Sequence, residues 1–314
     1  MKRLIVLAAL AITALAGAVH TAHANFPGVD GRIAYSQNST GEIWSVKPDG
    51  SDPRLVTSPS DPNHSFDSEP AWSPNGQLIV FTEYSDDGTA HLWLVNSDGT
   101  NRHLLMAVNP LYNELQGNWS PDGSRVIFRR CDNGNVNPKE QCTVYTVKVD
   151  GHGLTQITQT SQNVKQNNFD VKPEFSPDGR TISFSSFNRG GVQNGIYLMK
   201  SHGGSIQLIT PTALGAVDAD WSPDGSKIVF WTHCCDPQTS TIDTMNADGS
   251  GITTLTSGAA PAIRPNYAPQ GDRIVFEQDA PDFSTSDIET IPAGGGTPTV
   301  VATDAGTPNW GTAP

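Results

Sequence analysis

Acidic, basic and amide side chains recur in this chain at fixed distances ahead of a repeated aromatic residue. Three positions before that aromatic lie Glu69, Gln116, Lys172, Asp218, Arg264 and Thr307. Five before it lie Asp67, Glu114 and Asp170, with alanine at 216, 262 and 305, and Asp220 stands directly before Trp221. Alternate residues of a β-strand face the same side, so the residues one, three and five before the aromatic are expected to share a face. If that face lines a channel, it carries a polar ring in which Lys172 and Arg264 flank Asp218. Such charges either neutralise one another and hold the structure in register, or bind the charged end of a ligand. Asp67, Glu69 and Glu114 would form an acidic sector that prefers a cation or an amine. His64, Asp67, Glu114, Asp170 and Lys172 are the one set dense enough for acid–base catalysis.

Four cysteines allow three pairings. Cys131 and Cys142 bracket a long loop containing Asn133-Gly134 and Asn137-Pro138, and a bridge clamping that loop is expected. Cys234 and Cys235 are adjacent, and the arithmetic then leaves them a vicinal disulfide, which needs a strained ring. His233-Cys234-Cys235-Asp236 has soft ligands, but consecutive residues point apart and no second His/Cys pair lies near, so no metal is expected there. Asn96-Ser97-Asp98-Gly99 and Asn246-Ala247-Asp248-Gly249 are oxygen-rich without the closing glutamate of a calcium loop, and are expected to be hairpin turns. No cofactor is expected.

What positions these residues is a repeat. Trp72-Ser-Pro-Asn-Gly76, Trp119-Ser-Pro-Asp-Gly123, Phe175-Ser-Pro-Asp-Gly179, Trp221-Ser-Pro-Asp-Gly225 and Tyr267-Ala-Pro-Gln-Gly271 have closing glycines 47, 56, 46 and 46 residues apart. A period in the forties built of short strands is the mark of propeller blades. Each turn is followed by a β-rich run such as Leu78-Ile-Val-Phe81 or Ile274-Val-Phe276, then by a third strand such as Leu92-Trp-Leu-Val95. A second turn, Asp-Gly in most units, leads to a fourth strand. Blade one lacks an innermost strand at its start, while Pro308-Asn309-Trp310-Gly311 is left over at the end. The C-terminal segment is therefore expected to complete the first blade, giving an all-β, six-bladed β-propeller of four-stranded antiparallel blades with no open edge.

Aromatic-Ser-Pro-Asp-Gly, then Ile-x-Phe, then Ile-Tyr/Trp-x-Val/Met, then Asp-Gly resembles the WD40-like repeat of the TolB-type β-propellers. Five near-copies carry the resemblance, which extends over residues 25 to 314 as one domain. It implies a periplasmic or secreted module that docks a protein partner. Relatives with the same fold are fused to prolyl-peptidase domains, but the Gly-x-Ser-x-Gly elbow those enzymes need does not occur in this sequence.

Lys2 and Arg3 precede an uncharged run from Leu4 to Val19 that ends near Ala22-His23-Ala24, the order of a secretory signal over residues 1 to 24. Sixteen residues are marginal for a membrane span and nothing later is apolar enough, so no membrane segment is expected after cleavage. With 19 basic and 32 acidic residues the chain has a formal charge of -13, and no basic stripe to release counterions, which argues against nucleic acid. The long, irregular connections fall on one face of the ring and the short turns on the other, which marks the loop-rich side for binding. The expected function is a monomeric platform holding a protein or peptide at that face or at the channel mouth. The competing expectation is an enzyme on the same scaffold, a lyase or hydrolase of extracellular polysaccharide or peptide.

Overall fold

The computed structural model describes residues 27–58, 64–132, 141–159, 169–187, 189, 194–233, 239–257 and 260–314. Cys234 and Cys235 lie outside these residues, as does the segment read as a secretory signal.

In five of the six repeats the second strand carries three consecutive apolar residues, the fourth having Ser183 in the middle, and Ile79, Val80, Phe81, Ile274, Val275 and Phe276 are all fully buried. Alternation sends the first and third to one side and the middle one to the other, so such a strand needs cover on both faces. Neighbouring units supply it. Ile79 and Phe81 pack with Ala34, Ile43 and Val56 of the unit before, while Val80 packs with Trp119, Val126 and Phe128 of the unit after. Six such cores, one at each junction, replace the single core of a sandwich.

The elements run in chain order. Blade 1 holds β1 (Asp30–Gln37), β2 (Glu42–Val46) and β3 (Arg54–Leu55); blade 2 holds β4 (His64–Trp72), β5 (Leu78–Ser85), β6 (Ala90–Asn96) and β7 (His103–Leu104). Blade 3 comprises β8 (Tyr112–Trp119), β9 (Arg125–Asp132), β10 (Cys142–Lys148) and β11 (Thr155–Gln156), and blade 4 comprises β12 (Phe169–Phe175), β13 (Thr181–Phe187), β14 (Asn194–Lys200) and β15 (Gln207–Leu208). Blade 5 follows with β16 (Val217–Trp221), β17 (Lys227–Trp231), β18 (Ile242–Asn246) and β19 (Thr253–Thr254). Blade 6 has β20 (Ala262–Tyr267), β21 (Arg273–Asp279), β22 (Ser286–Pro292) and β23 (Thr299–Thr303), and the last strand is β24 (Ala305–Thr312).

Strands pair antiparallel with their successors inside each blade, and β24 pairs with β1, Ile33 opposite Trp310 and Ala34 opposite Asn309. The C-terminal strand thus supplies the innermost strand of blade 1 and closes a six-bladed β-propeller, as the leftover repeat fragment required. One parallel bridge, Cys142 to Phe169, links blades 3 and 4 into a continuous sheet. Cys131 and Cys142 stand directly opposite across β9 and β10 and form a disulfide with Cα atoms 4.0 Å apart.

Turn chemistry explains the repeated residues. Ser120 Oγ donates to Asp122 Oδ1 at 2.6 Å and accepts the Arg125 N–H at 2.9 Å, so the Ser-Pro-Asp-Gly loop is tied internally before the second strand begins. The Asp-Gly turns behave likewise: Asp248 Oδ1 accepts both the N–H and the hydroxyl of Ser250. Hydroxyl hydrogen bonding lowers the Asp248 pKa, and the same cause acts at Asp49 and Asp98. Gly249 is required twice over, since its φ is +87° and a Cβ would lie 2.3 Å from the Ile209 carbonyl oxygen of the preceding blade.

Candidate functional site

The six residues three before the aromatic come together. Glu69, Gln116, Lys172, Asp218, Arg264 and Thr307 line one narrow cavity on the propeller axis. All six have φ between 47° and 56°, an unusual left-handed conformation for residues with a side chain. The cause is a β-bulge in every innermost strand, visible as register shifts between Ser68 and Ala71, Leu115 and Asn118, Val171 and Glu174, Val217 and Asp220, and Ile263 and Asn266.

The bulges turn ring N–H groups toward neighbouring blades, where side chains receive them. Glu69 N–H donates to Thr307 Oγ1 at 3.3 Å, Gln116 N–H to Glu69 Oε2 at 3.2 Å, and Lys172 N–H to Gln116 Oε1 at 2.9 Å. Asp218 N–H donates to Ser185 Oγ at 2.8 Å and Thr307 N–H to Glu277 Oε2 at 2.8 Å. Five of the six strained positions are thus held by hydrogen bonds between neighbouring blades. The cavity inside it measures about 20 Å³, close to the minimum for one water molecule, so a partner meets the mouth and not the bore.

Lys172 and Arg264 flank Asp218 in ring order, but neither is its direct partner. The Asp218 carboxylate accepts the Trp231 indole N–H at 2.9 Å, Arg264 pairs with Glu277 at 2.7 Å, and Lys172 approaches Glu174 at 3.9 Å. Burial pulls the Arg264 pKa down, but Glu277, then Asp218 and Glu69, outweigh it and the net shift is upward. Asp279 is pushed up to about 6 by burial and by Glu277.

The expectation that the residues five and one before the aromatic share the channel face does not hold, because the bulge breaks the alternation. Asp67, Glu114 and Asp170 are instead buried, each clasped by an arginine. Asp67 meets Arg102 at 3.1 Å and His64 at 3.0 Å; Glu114 meets Arg130 at 3.2 Å and His91 at 2.6 Å; Asp170 meets Arg189 and the Ser186 hydroxyl. Each arginine also lies over aromatic rings: Arg102 over Phe81 and Trp93, Arg130 over Tyr112 and Tyr145, Arg189 over Phe184 and Tyr197. Burial raises the Asp67 and Asp170 pKa values against the pull of these arginines. Of the acidic sector read from sequence, only Glu69 reaches the axis. His64, Asp67 and Glu83 have ligand atoms within 4.8 Å of one another, spacing compatible with a metal, but Arg102 donates to both carboxylates and supplies the cation.

Residues one before the aromatic latch blade to blade. Tyr267 N–H donates to Asp220 Oδ2 at 2.6 Å, Trp310 N–H to Asn266 Oδ1 at 2.9 Å, and Trp72 N–H to Asn309 Oδ1 at 2.9 Å. Glu174, at the same position, is fully enclosed, and burial, followed by the charge of Asp220 and a hydrogen bond with it, drives its pKa well upward.

Above the ring lies a group of residues that the reading by charge passed over. Phe66 and Tyr84 are directly opposed on β4 and β5 and stack with centroids 4.4 Å apart; Phe169 and Phe187 are opposed on β12 and β13 at 6.1 Å, edge to face. Between the two pairs, Arg129 of β9 lies beside Tyr84 and 5.6 Å from the Phe169 ring centroid. Burial is the main cause of the raised Tyr84 pKa, with Glu69 adding to it and Arg129 and Arg264 opposing, which places this tyrosine beside the ring. Aligning the repeats finds these aromatics, since Phe66 and Phe169 both stand six before their aromatic and Tyr84 and Phe187 both three after the buried Phe.

A closed ring of six four-stranded blades around a polar axis defines a six-bladed β-propeller. The chain belongs to the PD40 family, the TolB beta propeller domain, whose model matches residues 108–313. It is similar to the uncharacterized protein Atu1656 of Agrobacterium fabrum, 28% identical over 150 residues that cover 48% of this chain and 44% of that protein, less than half its length. Among solved structures it superposes on TolB from Acinetobacter baumannii with TM-score 0.70 and 21% identity, over 90% of this chain and 67% of that one. A putative TolB from Agrobacterium tumefaciens gives TM-score 0.62 and 19% identity over 87% and 88% of the two chains. These likenesses concern the fold.

Proposed function

We propose that this chain is an exported TolB-like β-propeller that holds a protein or peptide partner at the loop-rich mouth of its axis. The carrying observation is the ring itself: six side chains of mixed charge from six blades converge on a cavity too narrow to admit a chain, so they present a fixed polar rim. Catalysis is disfavoured because the His64, Asp67, Glu114 and Asp170 groups it would draw on are tied up in separate buried arginine clasps. Export rests on the signal-like order of residues 1 to 24.

The test is capture from a cell-envelope extract with the wild-type propeller and with Lys172→Glu. Lys172 is chosen because its side chain is 28% exposed at the rim; reversal also sets a carboxylate near the buried Glu174, a cost that the melting curve reads separately from binding. Loss of one specific partner by a variant that still melts cooperatively and is folded at the assay temperature supports the platform. Identical recovery of every captured protein by both removes the rim as the binding surface.

A further inference from the structure

The arginines beside the axis divide into two kinds. Arg102, Arg130, Arg189 and Arg264 each have a carboxylate within salt-bridge distance. Arg129 has none among the described residues, and its Nε, like that of Arg102, is buried without a hydrogen-bond partner. An arginine left uncompensated in a chain of charge -13 is conspicuous, because acidic groups are the commonest charged neighbours available.

Its setting suits an anion with an apolar flank. Tyr84 and Phe169 flank the guanidinium from the two neighbouring blades, and the stacked Phe66, 42% exposed, extends the apolar surface outward. A guanidinium presents paired donors that match the two oxygens of a carboxylate, while flat rings beside it accept an aliphatic or aromatic group. The same mouth carries Glu69, Asp218, Glu277 and Asp279, which would repel a polyanion but tolerate a single negative charge.

We propose that the strip Phe66, Tyr84, Arg129, Phe169 and Phe187 is a carboxylate-binding subsite for a peptide. Arg129 takes a lone carboxylate, that of the chain end, and the rings take the apolar residue that bears it. The subsite rests on the reading of the mouth as a peptide-binding surface and names the chemistry recognised there.

The test is calorimetric titration of the full chain with N-acetyl-Gly-Gly-Phe, with its C-terminal amide, and with a galacturonate trisaccharide. Wild type is expected to bind the free acid at least tenfold more tightly than the amide. Arg129→Gln should lose at least tenfold for the acid with no change for the amide, and Arg129→Lys, which keeps the charge without the fork, should fall between them. Phe169→Leu should weaken both peptides alike, and melting temperatures identify any variant that has lost its fold. Equal affinity for acid and amide, an unchanged affinity in folded Arg129→Gln and Arg129→Lys, tighter binding of the trisaccharide, or no detectable binding of the acid peptide overturns the subsite. Capture of a partner sensitive to Lys172→Glu but indifferent to Arg129→Gln would leave the platform standing and remove only the carboxylate assignment.

Discussion

Asn309 Oδ1 accepts the backbone N–H of Trp72 at 2.9 Å, across 237 residues of sequence. Both residues are buried, and the bond joins the C-terminal strand of blade 1 to the innermost strand of blade 2. Asp220 and Asn266 make the equivalent contact at two other junctions. Asn309→Ala leaves a buried N–H unsatisfied and is expected to cost about 1–3 kcal/mol in urea unfolding. Asn309→Asp keeps the acceptor and should cost less; equal losses for the two variants would show that the latch contributes little.

Gly249→Ala tests the approach of turn to neighbouring blade. The positive φ and the 2.3 Å separation from the Ile209 carbonyl oxygen act together, and the nearby atoms are backbone that cannot swing away. A loss of about 2–4 kcal/mol is expected, beyond the roughly 1 kcal/mol of the φ term alone. Gly204→Ala is the control, because its φ is also positive, at +81°, while a Cβ there meets nothing within 4 Å. Matching losses at both sites would assign the effect to the backbone conformation and not to the packing.

Asp279 makes stability depend on pH in a defined window. Its folded pKa, about 6, lies above the ordinary value of 3.8, so folding binds the proton more tightly than the unfolded chain does. The resulting penalty is absent below about pH 4, grows as the pH rises, and is complete above about pH 6. Asp279 is only partly buried, so solvent screening reduces the penalty to about 1 kcal/mol. Asp279→Asn should therefore be more stable than wild type at pH 7.5 and equal to it at pH 4, and a difference that does not change between these pH values would refute the assignment.

Glu174 and Asp220 carry a stronger version of the same conflict inside the ring wall. Burial and the neighbouring carboxyl raise the Glu174 pKa, which gives a contribution that favours folding at low pH and fades as the pH rises. Glu174→Gln keeps a donor for Asp220 without the charge and is expected to gain about 1 kcal/mol at pH 8. Glu174→Ala empties the site and should lose stability at every pH. Denaturant midpoints of the two variants across pH 5 to 8 decide the matter; a Gln variant that tracks the Ala variant would mean that packing, and not charge, governs this position.

Most of the fold was legible in the sequence because propeller blades are local objects. Pro-Asp-Gly and Asp-Gly set the turns, the Ile-Val-Phe triplets announce strands buried on both faces, and the unpaired Pro308-Asn309-Trp310 segment foretold the closure between β24 and β1. Cys131 and Cys142 were readable for the same reason, since they bracket one hairpin loop. The ring of Glu69, Gln116, Lys172, Asp218, Arg264 and Thr307 was found by counting back from the aromatic, and the tertiary structure puts all six around one axis.

Counting could not reveal the bulge. Alternation assumes regular pleating, but a left-handed residue in each inner strand shifts the register, sending Asp67, Glu114 and Asp170 into the blade junctions while their neighbours two places on face the axis. Nor could it pair Asp67 with Arg102 or set Arg129 between Tyr84 and Phe169, since those partners come from different strands and blades. The sequence by itself determined six similar units and how the last one joins the first, because turns and strand faces are set by residues close together in the chain. Only the tertiary structure decided which charges are spent within the wall and which remain at the mouth, because that depends on distances between residues that the chain holds far apart.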